Sequence, residues 1–175
     1  MLIKTSDDKT QALETLEKLL ERKDLTASQH KAIKKELWAM RAGIKGENEA
    51  AYELDFNFEN SKNSILLHDL RLEVNGRVAQ IDHLLITRAL VGFVFETKNF
   101  GSGIKIEENG EFLRWNAYQK CYEGMPSPIA QNQNHALVLG RVFQKRRDAY
   151  TLRDEVKTIT DTVCFSLKQC TYSTP

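Results

Sequence analysis

"ILLHDLRLEVNGRVAQIDHLLITRALVGFVFETKNF", Ile65 to Phe100, contains the alternation that decides the fold. Apolar runs flank Asn75-Gly76, and an Asn-Gly pair so placed is the strongest local signal for a tight antiparallel hairpin. "LVGFVFETKNF" follows a short turn near Arg88, so three antiparallel strands are expected in succession. Three charged residues, Asp82, Glu96 and Lys98, stand inside runs that should be buried. An unpaired carboxylate in an apolar setting is costly and tends to protonate, so their placement asks for a cause.

Upstream, the chain reads as helix. Ser6 with Asp7 and Asp8 offers a helix start, and Leu13, Leu16 and Leu20 form an apolar stripe. Thr26 with Gln29 is a capping-box pattern, followed by Ile33, Leu37, Met40 and Ile44 at helical spacing. A helical hairpin is expected over 1–42, with its charges on a solvated face. Gly43 and Gly46 loosen the pattern before "GENEAAYELDFNF", where Ala50, Ala51 and Leu54 still favour helix.

Downstream, "SGIKIE" and "EFLRWNAY" suggest short edge strands around Asn109-Gly110. A helix is expected from Ile129 through Ala136, Leu139 and Phe143, and "DTVCFSL" alternates like one more strand. Helices, three strands, a helix and a strand give a mixed α/β domain over 43–175, a span whose end could mark a truncation.

The 175 residues carry a formal charge of +1, so nucleic acid or membrane would be attracted only through local clusters. Cys121, Cys164 and Cys170 show no disulfide framework, and with the four histidines they make no recognisable zinc pattern. No apolar stretch approaches a membrane span, and "MLIKTSDDKT" does not read as a signal peptide, so a cytoplasmic protein is expected.

Side chains alternate along a strand, so Glu96 and Lys98 share a face, and the hairpin brings Asp82 alongside. Two carboxylates with a backbone carbonyl, such as that of Thr97, make a hard-oxygen site suited to Mg²⁺ or Mn²⁺. A dication keeps both acids ionised, and the lysine is then placed to orient or deprotonate a water on the metal. That chemistry suits phosphodiester hydrolysis. A cross-strand ion pair with Lys98 is the plainer reading, but it leaves one acid without a partner. His83 should face the opposite side of its strand as a hydrogen-bonding histidine. Trp115 and Tyr118 could stack on bases, although a core position is the commoner outcome.

The spacing of Asp82 before Glu96-Thr97-Lys98 resembles the core of the PD-(D/E)xK nuclease superfamily. With "GENEAAYEL", "AQIDHLLI", "GFVFETKNFGSGI", "RWN" and "PIAQNQNHALVL" in order, the chain looks like the nuclease-related domain, NERD, from about Gly46 to Phe143. The resemblance implies a restriction-endonuclease-like mixed sheet flanked by helices. Its helical acid falls on Glu47 (Glu49 stands close by), its strand acid on Asp82, its Glu-x-Lys on Glu96 and Lys98, and its later glutamine on Gln131. One departure is Ser127 before Pro128, where the family usually shows asparagine.

The function expected on these grounds is metal-dependent hydrolysis of nucleic acid, with DNA as the substrate the resemblance favours. Glu47, Asp82, Glu96 and the Thr97 carbonyl would hold the metal. Lys145, Arg146 and Arg147 would meet phosphates, although basic residues also suit a helix C-terminus. The alternative is a non-catalytic nucleic-acid-binding or interaction module, with the N-terminal helices docking a partner or a second copy.

Overall fold

The structure, a computed structural model, describes residues 1–100, 103–116, 119–150 and 158–167, with side chains as far as Lys145. The three expected strands are β2 (Ser64–Val74), β3 (Arg77–Thr87) and β4 (Val91–Phe100). Asn75 and Gly76 both take positive φ, 51° and 71°, as the two-residue turn requires. The turn pairs Val74 with Arg77, and the register then follows by counting: Leu70 meets Ile81 and His68 meets His83. β4 pairs antiparallel with β3 from Ile86–Gly92 to His83–Phe95. The strand expected at "DTVCFSL" is β8 (Thr158–Leu167), parallel beside β4. A short strand that periodicity did not predict, β1 (Leu2–Lys4), joins the other edge in parallel, giving the order β1-β2-β3-β4-β8.

"SGIKIE" and "EFLRWNAY" do not extend this sheet. β5 (Ile104–Ile106) and β6 (Phe112–Asn116) pair with an unpredicted third strand, β7 (Cys121–Met125), in a separate small sheet. The reason is that β4 already has a partner on each side, so the chain leaving it finds no open edge there. Trp115 packs edge-on against Tyr122 in that sheet, while Tyr118 lies outside the described residues.

The expected helical hairpin is present. α1 (Thr10–Leu20) starts after Asp8, whose Oδ1 accepts from the Thr10 N–H, rather than at Ser6. α2 (Ala27–Phe58) starts in the Thr26–Gln29 capping box and pairs with α1 through Arg41 and Glu17. It then continues unbroken through both glycines. A glycine inside a helix costs about 1 kcal/mol, but Gly46 allows a close approach: a Cβ there would meet the Asn99 Cβ at 2.6 Å. Asn99 Nδ2 also donates to the Ala42 carbonyl at 2.7 Å, so α2 is held tightly against β4.

α3 (Pro128–Tyr150) covers the opposite face of the sheet. Ser127 caps it, with its Oγ accepting from the Ala130 N–H and Pro128 at the first helical position. Serine and asparagine are comparable N-caps, so the departure from the family pattern at Ser127 leaves this helix start intact. Val138 and Leu139 enter a core of Val74, Ala79, Ile81, Leu84 and Val94. Each fully buried aliphatic side chain there contributes roughly 1.5–3 kcal/mol. The core-facing positions change parity along β2, from Leu67 to Leu70 and Leu72, and along β3, from Ala79 and Ile81 to Leu84 and Ile86. Asp69, at φ 50°, lies at the change.

Gly46→Ala should lower stability by about 1–3 kcal/mol, because crowding against Asn99 outweighs the gain in helix propensity. Urea unfolding checks this; an unchanged or raised midpoint would mean that α2 does not depend on the close approach.

Candidate active site

The charged residues of the central strands meet where β3 and β4 part. The ladder ends at His83–Phe95, and Asp82 turns its carboxylate into the next gap, where Oδ2 accepts from the Thr97 N–H at 2.7 Å. Glu96 lies on the face covered by α3 and is only 2% exposed. Its Oε1 accepts from Lys98 Nζ at 2.5 Å and from Gln131 Nε2 at 2.7 Å. His135, one turn beyond Gln131 on α3, brings Nδ1 to 3.3 Å from Oε2. That pair is at electrostatic distance but not aligned as a hydrogen bond, so Glu96 Oε2 has no hydrogen-bond partner among the described residues.

These surroundings drive the two carboxyls apart. Burial, then the neighbouring Glu96 and Glu47 carboxylates, push Asp82 up to about 7 against the Thr97 N–H and Lys98. Burial pushes Glu96 up as well, but His135 and Lys98 outweigh it and hold that carboxyl below its ordinary range. Paired acids separated in this way are a common mark of a working site.

Glu47 approaches from α2. Its carboxylate accepts from the Lys9 ammonium, which also stands 3.3 Å from Asp69 Oδ2. Glu49 instead points to solvent and pairs with Lys45 at 3.6 Å, so Glu47 is the acid that faces the strands. Asp69 is buried and accepts from Gln80 Nε2 at 3.0 Å. Among the described residues no three His, Cys, Asp or Glu side chains stand close enough to share one ion as they lie.

His83 faces the other side, as alternation requires. Its Nε2 meets Thr97 Oγ1 at 3.2 Å and its Nδ1 meets His68 Nδ1 at 2.7 Å. Burial, with His68 adding, pushes the His83 imidazole down to about 4. Lys145 is exposed fourteen residues beyond Gln131, about 21 Å along α3 at 1.5 Å per residue, so it does not join the acids. The side chains of Arg146 and Arg147 lie outside the described residues.

Sequence reasoning therefore missed Lys9 and Asp69. Asp69 carried the same signal as Asp82, a charge inside an apolar run, and counting back from Asn75-Gly76 sets the two opposite each other. Lys9 carried no signal, since its partners are distant in the chain.

The Asp82 carboxyl predicts a pH effect in the metal-free protein. A carboxyl raised on folding binds its proton more tightly in the folded state, so its contribution falls as pH rises from the unfolded value near 4 through about 7. His83 acts in the opposite sense, since its lowered folded value makes stability rise between about 4 and the ordinary histidine range. The comparison with Asp82→Asn isolates the first effect. By urea unfolding, the variant should gain on the parent protein as pH rises from 4 to 8, with the difference closing toward pH 4. A difference independent of pH would refute this account of Asp82.

No helix among the described residues is long and apolar enough to cross a membrane. No curated protein and no solved structure matches the chain. The nuclease-related domain family does match, over residues 42–166, a span containing Glu47, Asp82, Glu96, Lys98 and Gln131. The chain belongs to the nuclease-related domain (NERD) family.

Proposed function

We propose that this domain is a divalent-metal-dependent nuclease that hydrolyses phosphodiester bonds of DNA. The observation that carries the reading is the buried Glu96 carboxylate, whose Oε2 has no hydrogen-bond partner among the described residues, beside an Asp82 carboxyl held near 7. A buried acceptor beside a second carboxyl that is raised by burial and by its acidic neighbours fits a cation between them. Mg²⁺ commonly uses one or two carboxylates and fills its shell with water and substrate oxygens, so a third acid need not be in place beforehand.

Asp82, Glu96 and the Thr97 carbonyl would hold Mg²⁺ or Mn²⁺, with Glu47 closing on it from α2. When bound, the metal supplies a Lewis acid for the phosphoryl group and acidifies water. Gln131 fixes the Glu96 carboxylate through its Nε2. Lys98, now donating to Glu96, is placed to hold the attacking water and to balance charge on the phosphoryl oxygens. His135 adds positive potential behind Glu96 when it is protonated. The membership in a nuclease-related family supports nucleic acid as substrate. The engagement of Glu47 by Lys9 favours a second reading, a binding module on the same fold.

Nicking of supercoiled plasmid by the purified domain should require Mg²⁺ or Mn²⁺ and stop in EDTA. Glu96→Gln and Lys98→Ala should each slow it by at least about 100-fold, the range for losing one such group. Undiminished cutting by either variant would overturn the mechanism, and Mn²⁺ binding without cutting by the parent protein would support the binding module.

Lys9 and a divalent ion would compete for Glu47. Lys9→Met should therefore tighten Mn²⁺ binding about tenfold by calorimetry, equivalent to about 1.4 kcal/mol. Unchanged or weaker binding would show that the Lys9 ammonium does not oppose the ion.

A further inference from the structure

A chain of four polar side chains runs through the interior between α2 and β4, on the face opposite Glu96. Asp55 Oδ1 meets His68 Nε2 at 3.0 Å, His68 Nδ1 meets His83 Nδ1 at 2.7 Å, and His83 Nε2 meets Thr97 Oγ1 at 3.2 Å. Both imidazoles are 1% exposed. Burying them in an apolar sheet is costly unless every ring nitrogen is satisfied, and here every one is.

With both imidazoles neutral, the chain has one direction. Asp55 ends it as an acceptor, so His68 donates from Nε2 and leaves Nδ1 to accept. His83 must then donate from Nδ1 and accept at Nε2, which the Thr97 hydroxyl supplies. The reverse order would set the bare lone pair of His68 Nε2 against a carboxylate.

Thr97 is where this chain reaches the site. Its hydroxyl is engaged by His83, while its own N–H donates to Asp82 Oδ2 at 2.7 Å. Two residues on, Asn99 grips the Ala42 carbonyl on the same helix. The peptide that holds Asp82 is thus tied to α2, the helix that also carries Glu47, eight residues before Asp55.

We infer that Asp55, His68 and His83 are positioning residues that act through the Thr97 hydroxyl: the chain sets the Thr97 peptide, whose carbonyl is a proposed metal ligand, and through its N–H the Asp82 carboxylate and its spacing from Glu47. The consequence for metal rests on the proposed nuclease reading. The chain touches neither substrate nor the Glu96 face, so it acts only through Thr97. Residues behind metal ligands typically alter affinity 10- to 100-fold.

Thr97→Val keeps the shape and removes the hydroxyl, and Thr97→Ser keeps the hydroxyl. Two readouts are made on the full chain: Mn²⁺ affinity by calorimetry, and amide hydrogen exchange at residue 97 in the metal-free protein, relative to Val94 on the same strand. The valine variant should bind Mn²⁺ about tenfold more weakly and exchange the amide at least about tenfold faster, with serine restoring both. Unchanged exchange overturns the inference, as does faster exchange with unchanged Mn²⁺ affinity. If the parent protein binds no Mn²⁺, the metal reading fails and exchange alone decides whether the chain positions Asp82.

Discussion

A carboxylate in the middle of a sheet is the constraint on which much of this structure turns. Glu96 lies on β4 beneath α3, almost without solvent, in surroundings that would otherwise neutralise it. Lys98 reaches back from its own strand, and Gln131 and His135 reach down from successive turns of α3. The placement of α3 is therefore electrostatic as well as apolar. Val138 and Leu139 bury its middle, while Gln131 in its first turn donates to the Glu96 carboxylate. The Ser127 cap and Pro128 start the helix where Gln131 falls over Glu96.

The other face of β4 is organised by close packing and a series of hydrogen bonds. Gly46 removes the side chain that would keep α2 from Asn99, and the Asp55–His68–His83–Thr97 chain fills the space beside that contact. One strand thus presents acid and base to one helix and a matched hydrogen-bond series to the other. Alternation along β4 makes this possible, since Glu96 and Thr97 are neighbours in sequence but face opposite layers.

Lys9 brings a third element. It comes from a segment before the span matched by the family, yet its ammonium balances Glu47 and Asp69 beside the central acids. β1 fixes the path of that segment along β2. Acids gathered in one place repel one another, and an internal ammonium is a direct way for a chain to keep them together.

Much of this was legible in the sequence because it is local. Asn75-Gly76 determines a turn, the turn determines the register, and the register alone sets His68 against His83 and Asp69 opposite Asp82. Charges in apolar runs marked Asp82, Glu96 and Lys98. Contacts between elements distant in the chain were decided only by tertiary structure. Gly46 read as a loosening of the helix until Asn99 gave it a packing role. The strands after β4 read as short edge strands until pairing set them in a small sheet of their own. Lys9 read as one surface charge among many until the fold set it between two acids. Periodicity reports which face of an element is buried, whereas the partner it meets depends on chain closure over long separations, which no local pattern encodes.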